Sequence, residues 1–114
     1  MTRDELYMKK ALELAEIAAE QGEVPVGAIV VKRSSGEIIG RGFNRREYGH
    51  SPLTHAEFVA IEEASRNLGG WRLMGCELFV TLEPCPMCTG AIINSRIERV
   101  VFGAYDKKAG SCGS

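Results

Sequence analysis

The sequence predicts an α/β fold in which a mixed β-sheet lies between layers of helices. Three observations carry this reading. Short β-branched runs alternate with amphipathic stretches along the 114 residues, the pattern of strands interleaved with helices. Two of the runs are joined by a tight Ser-Ser-Gly turn, which makes them an antiparallel hairpin. Two later runs flank a short helical stretch, which makes a βαβ unit and so a parallel pair. Both kinds of pairing in one sheet make it mixed, and helices on its two faces make three layers.

Each element has its own signal. Thr2-Arg3-Asp4-Glu5 fits a capping box and opens a first helix. Tyr7, Ala11, Leu14, Ala15 and Ala18 recur at helical spacing, and Gly22 closes the element. Val26–Val31 reads as a buried strand, Ser34-Ser35-Gly36 as the turn, and Glu37–Asn44 as the returning strand. Arg45–Leu53 contains Gly49 and Pro52 and reads as a loop. Thr54–Asn67 is a second helix, stopped by Leu68-Gly69-Gly70. Cys76–Leu82 is a strand, Pro86–Ser95 a short helix with proline at its first position, and Arg99–Gly103 a further strand. Ala104–Ser114 forms a tail that is rich in Gly and Ser after Lys108.

The length suits a single domain spanning 1–114, built on one core. With 45% hydrophobic and 25% charged residues the composition is that of an ordinary globular protein, not a disordered or membrane-spanning one. Net charge is −1, so global electrostatics neither attract nor repel nucleic acid. The distribution is less even. Met1–Val24 is acidic, whereas Arg41, Arg45, Arg46, Arg96, Arg99, Lys107 and Lys108 fall nearer the segments that carry chemistry and permit an electropositive face. MTRDELYMKK has no apolar core of a signal peptide, and no apolar run approaches the ~18 residues of a membrane span. The four cysteines, at 76, 85, 88 and 112, are unevenly spaced. A reduced, cytoplasmic protein with metal-binding or catalytic cysteines is the expectation.

The informative stretch is TLEPCPMCTG, Thr81–Gly90. Buried cysteines pack well as small hydrophobes, but packing does not account for two of them three apart, with Pro84 directly before the first and Pro86 between them. Two thiolates do not complete a zinc shell, so a further ligand is required elsewhere. His50 and His55 are the two histidines of the chain. His50 lies in YGHSP, a loop context that suggests an exposed side chain. His55 begins His-Ala-Glu at the start of the second helix, two residues before Glu57.

Glu57 has two readings at this point. In Thr54-His55-Ala56-Glu57 it can be the acid of a capping box; beside a metal it can be a proton carrier. Residues two apart lie ~200° around a helix, so His55 and Glu57 converge only on a point beyond the helix end. Cys85 and Cys88 sit in or beside the first turn of the next helix, so two helix N-termini aim at one spot. Their partial positive charge favours thiolate over thiol. His55, Cys85 and Cys88 then supply three ligands to one Zn²⁺ per chain, with a fourth position left for a water whose pKa drops to about 7. Soft thiolates and an imidazole suit zinc better than magnesium, and Glu57 is placed to move the proton. Cys76 and Cys112 are bystanders.

His-x-Glu followed by Pro-Cys-x-x-Cys is the signature of zinc nucleobase deaminases. The chain resembles the bacterial tRNA-specific adenosine deaminases over nearly its whole length, in EVPVGAIVV, GEIIGRGFNRR, THAE, the WRL segment, LFVTLEPCPMCTGAI and SRIERVVFGAYDKKAGSCGS. The resemblance implies a cytidine-deaminase-like three-layer α/β/α fold, a cytoplasmic homodimer, and a tRNA anticodon loop as partner. It implies hydrolytic deamination of wobble adenosine to inosine, with His55, Cys85 and Cys88 on zinc, Glu57 shuttling protons and Asn44 contacting the flipped base. Asn44 also has a plain reading as a turn-forming residue at a strand end. Arg45, Arg46, Lys107 and Lys108 are expected to hold backbone phosphates. Two alternatives stay open: a guanine deaminase acting on the free base, and a zinc-stabilised RNA- or partner-binding module without turnover. Family members generally continue past the position of Ser114 with a further strand and helices, and these are expected to be missing here.

Overall fold

The computed structural model describes residues 1–45 and 55–103. Arg46, His50, Thr54, Lys107, Lys108 and Cys112, all of which the sequence reading invoked, lie outside the described residues. Helix α1, Arg3–Glu20, begins as its sequence demands. Thr2 accepts the Glu5 N–H, and the Glu5 carboxylate accepts the Thr2 N–H, at 3.1 and 3.0 Å, satisfying two otherwise unpaired donors. At its end Gly22 adopts φ 77 while the N–H groups of Gly22 and Glu23 return to the carbonyls of Ala19 and Ala18. That is a Schellman closure, for which glycine is favoured because the left-handed region penalises a Cβ.

β1, Gly27–Lys32, and β2, Glu37–Phe43, form the expected hairpin, paired antiparallel with Gly27 opposite Phe43 and Lys32 opposite Glu37. Helix α2 runs Ala56–Leu68 and ends in a second Schellman closure, with Gly69 at φ 74 and the Gly70 N–H on the Ser65 carbonyl. β3, Cys76–Val80, helix α3, Pro86–Asn94, and β4, Arg99–Phe102, complete the order. Among the described residues the sheet runs β2-β1-β3-β4. β1 and β3 are antiparallel, β3 and β4 parallel, so the sheet is mixed.

The sheet has two apolar faces. On one, Ile29, Val31 and Phe79 pack with Tyr7 and Leu14 of α1. On the other, Val30, Leu78 and Val80 meet Ala56, Ala60, Ala64 and Ile61 of α2 and Ile92 of α3. This is the three-layer arrangement. β1 and β3, central and covered on both faces, are almost continuously buried and mostly apolar, as such strands are, with Glu77 the one acid in β3. Full burial of a side chain such as Phe79 is worth roughly 1.5–3 kcal/mol. No helix among the described residues is long and apolar enough to cross a membrane.

Candidate metal centre

Both helices that follow the sheet's hairpin and β3 start at the same place, and neither uses its first side chain as a cap. The N-cap of α2 is His55 and that of α3 is Cys85; both have extended backbones and neither side chain makes a capping hydrogen bond. Ser, Thr, Asp and Asn are the usual occupants, because their oxygens accept the orphan N–H groups. The substitutes arise differently. Pro86 at the first position of α3 has no N–H to satisfy. For α2 the acceptor comes from another element: Asn44, 7% exposed at the end of β2, accepts the Ala56 N–H on Oδ1 at 2.9 Å.

The side chains of His55 and Cys85 are thereby released to face one another. His55 Nδ1 lies 3.5 Å from Cys88 Sγ and 3.8 Å from Cys85 Sγ, and the three donor atoms lie within 4.8 Å of one another. A tetrahedral zinc with ~2.3 Å bonds to sulfur and ~2.05 Å to nitrogen requires S···N separations of roughly 3.6 Å. The donor chemistry and the spacing both fit one zinc ion.

Glu57 is the second residue of α2, not the third, because the N-cap is His55 and not Thr54. A capping box needs its acid at the third position, so that alternative for Glu57 falls away. Its carboxylate is 4% exposed and hydrogen-bonded to Cys88. Burial raises its pKa, and its own backbone N–H and Cys88 offset this only in part. Burial likewise drives the Cys88 thiol up, and the nearby Glu57 and Cys85 charges add to it. Acid and thiols thus crowd into a site where burial disfavours the ionised forms, and the Glu57 and Cys85 charges push the Cys88 thiol further up. A divalent cation at the centre reverses that logic.

Asn44 has a tertiary capping role that its position at a strand end did not disclose. The Arg45 guanidinium lies 5.6 Å from the Phe43 ring centroid, and its buried Nε has no hydrogen-bond partner among the described residues. The suggested electropositive face is not supported for two of its members. Arg99 opens β4 opposite Glu77, at the end of β3 remote from Cys85, and is bound to Asp4 and Glu77. Arg96, at φ 65 in the link from α3 to β4, borders a depression with Arg72, Met74 and Glu98 at that same end.

Several supporting residues were not singled out from the sequence. Gly40 and Gly42 let α2 lie directly on β2. Glu63 accepts the Arg41 N–H at 3.0 Å, and Asn67 donates to the Ile39 carbonyl at 2.7 Å, fastening α2 to the same strand. Thr81 Oγ1 accepts the Gly27 N–H at 3.1 Å where β3 leaves the sheet for the cysteines. Glycines at alternate strand positions were the one visible hint, since glycine in a strand marks close backbone approach.

Residues 1–104 match the family model described as the cytidine and deoxycytidylate deaminase zinc-binding region. The chain belongs to this family of zinc-dependent deaminases. Within it, the chain is 55% identical over all 114 residues to the tRNA-specific adenosine deaminase of Bacillus subtilis. It spans 70% of that relative's length and 64% of that of the Haemophilus influenzae relative of the same name. Among solved structures it superposes with a TM-score of 0.93 at 42% identity on a protein from work on A-to-I editing by tRNA:A34 deaminases at the wobble position of transfer RNA, covering 99% of this chain and 85% of that one. It also superposes on guanine deaminase from Bacillus subtilis, with a TM-score of 0.84 at 39% identity, covering 89% of this chain and 64% of that one.

Proposed function

We propose that this chain is one deaminase domain that hydrolyses adenosine to inosine at the wobble position of a tRNA anticodon, in the cytoplasm and as a homodimer. The observation that carries the chemistry is the meeting of His55, Cys85 and Cys88 with Glu57 at two helix N-termini. Similarity to tRNA-specific adenosine deaminases over the whole chain supports the substrate.

In this reading His55, Cys85 and Cys88 hold the zinc ion, which when bound supplies a water acidic enough to act as nucleophile near neutral pH. Glu57, buried at the same spot, would carry one of the water's two protons to the ring nitrogen and the other to the departing amine. Hydrolysis consumes water and releases ammonia. Asn44 has committed Oδ1 to the Ala56 N–H, so it meets the base as a donor through its amide N–H₂. Arg45, with Arg46, Lys107 and Lys108, holds phosphates of the splayed loop without reading its sequence. Large apolar side chains left exposed past α2 and on α3, Trp71, Met87 and Ile93, support pairing with a second copy.

The test compares an anticodon stem-loop carrying the wobble adenosine with free guanine, reading ammonia release from each. Turnover of the stem-loop is expected, with binding that weakens as salt rises at roughly −0.7 in log–log slope per neutralised phosphate. Charge reversal at Lys107 and Lys108 is expected to raise KM for the stem-loop and leave zinc content unchanged. Ammonia from guanine alone, without salt dependence, establishes the free-base reading instead, and zinc-loaded protein inert toward both establishes the binding-module reading.

A further inference from the structure

We propose that Gly42 is a positioning residue: the absence of its side chain sets how far the N-terminus of α2 advances toward the Cys85 and Cys88 thiols. The inference rests on the proposed ligand set and deepens it.

The two halves of the site belong to different supports. Cys85 and Cys88 start α3, which follows β3, whereas His55 and Glu57 start α2, which is fastened to β2. Their separation therefore depends on how closely α2 packs on β2. That distance is set by backbone against backbone. A Cβ at Gly42 would stand 2.3 Å from the Ala56 carbonyl oxygen, 2.7 Å from the Ala60 nitrogen and 2.8 Å from the Val59 Cβ. One turn further along the helix, a Cβ at Gly40 would stand 2.1 Å from the Ala60 oxygen. Helix backbone cannot rotate out of the way as a side chain can. Accommodating a methyl at Gly42 requires α2 to retreat by about 1 Å, given ordinary contact distances above 3 Å.

Ala56 is the point of leverage. Its carbonyl meets Gly42, its N–H is held by Asn44, and it lies between His55 and Glu57. A retreat there carries the imidazole and the carboxylate away from the sulfurs together. Metal bonds tolerate only about ±0.2 Å, so a shift of that size disrupts a donor spacing that now fits zinc.

Gly27 supplies the control. A Cβ there would stand 2.1 Å from the Ala11 oxygen, an equally severe backbone clash, but against α1, which carries none of the proposed site residues. Zinc affinity is measured by competition with a chromophoric chelator for the wild type, Gly42→Ala, Gly40→Ala, Gly27→Ala and His55→Ala, together with visible spectra of the Co²⁺-loaded proteins and thermal midpoints. Gly42→Ala is expected to lose at least ~10-fold in zinc affinity, the scale of losing a residue that orients a ligand, and to change the Co²⁺ spectrum. Gly27→Ala is expected to lose thermal stability while keeping wild-type affinity and spectrum.

Wild-type affinity in Gly42→Ala, or an equal loss in Gly27→Ala, overturns the proposal. Should Gly42→Ala yield no folded protein, Gly40→Ala decides: reduced affinity with an altered spectrum supports the lever, and wild-type behaviour in both overturns it. Zinc retained in His55→Ala would instead remove the ligand assignment itself, a failure distinct from that of Gly42.

Discussion

Two glutamates, Glu57 and Glu77, are almost equally buried and yet are held in opposite ways. Glu77 lies at the start of β3, 1% exposed, with Arg99 Nη1 donating to Oε2 at 2.8 Å and Arg3 Nη1 2.8 Å from Oε1. Arg99 also binds Asp4, which joins the start of α1 to the sheet. Burial by itself raises the pKa of Glu77, but the hydrogen bonds and charges of Arg99 and Arg3 outweigh it and the net shift is downward. Glu57, beyond the opposite end of β3, has the Cys88 thiol and its own backbone N–H as partners, and its shift is upward. One cluster closes its charge within the chain. The other concentrates acid and thiol around a point that only a cation from outside can balance. A buried acid with its counter-charge built in is structural; a buried acid without one, among soft donors, marks the metal centre.

Removing a proposed ligand should break the comparison most severely. His55→Ala, Cys85→Ala or Cys88→Ala is expected to bring zinc well below one atom per chain, abolish ammonia release and destabilise the fold, because metal binding is coupled to folding. Cys76→Ser is expected to retain zinc, since Cys76 is buried at the far end of β3 and is not among the three clustered donors. Elemental analysis checks both, and a full complement in Cys88→Ala would refute the assignment.

Next in size is Glu57→Gln, which keeps the shape and removes the proton carrier. Zinc content is expected to hold while turnover drops at least ~10²-fold, the usual scale of general acid–base catalysis. Near-normal turnover would leave Glu57 without a catalytic role.

The smallest effect belongs to the closed cluster. Arg99→Ala strips Glu77 of one partner but leaves Arg3, and the Arg99 side chain is 43% exposed, so solvent screens part of the interaction. A loss of about 1–2 kcal/mol in denaturant unfolding is expected, with zinc unchanged. Its pH dependence has a definite sign. The folded-state pKa values of Glu77 and Asp4 lie below their ordinary 4.5 and 3.8. Their contribution is therefore complete above those ordinary values and is lost as pH drops through the lower folded ones. The stability gap between wild type and Arg99→Ala should hold from neutral pH to about 5 and shrink under stronger acid. A gap that widens in acid would contradict the closed-cluster reading.

Much of this was legible in the chain because the signals are local. The Thr2–Glu5 box, the glycines at 22 and 69 and the proline at 86 act within a turn of themselves, and each helix they bound is where they place it. The same locality made His55, Cys85 and Cys88 readable, since cysteines three apart share one face of a helix's first turn, while His55 and Glu57, two apart, can converge only beyond a helix end. Where the sequence left a choice open, between a Thr54 capping box and another role for Glu57 and over the electropositive face that Arg96 and Arg99 permitted, the deciding partner lay on a different element. Asn44 reaches the Ala56 N–H from β2, and Glu77 reaches Arg99 across the parallel register of β3 and β4.

The sequence by itself determined the donor chemistry, the helix ends that present it and the alternation that makes a covered mixed sheet, because these depend on residue type and on spacing within one element. Tertiary structure alone decided the separations: that Gly42 and Gly40 let α2 rest on β2, that Asn44 caps a helix not its own, and that Glu77 rather than Glu57 receives the arginines. Distances between elements are set by packing among residues far apart in the chain, and a metal site held by two helices is such a distance.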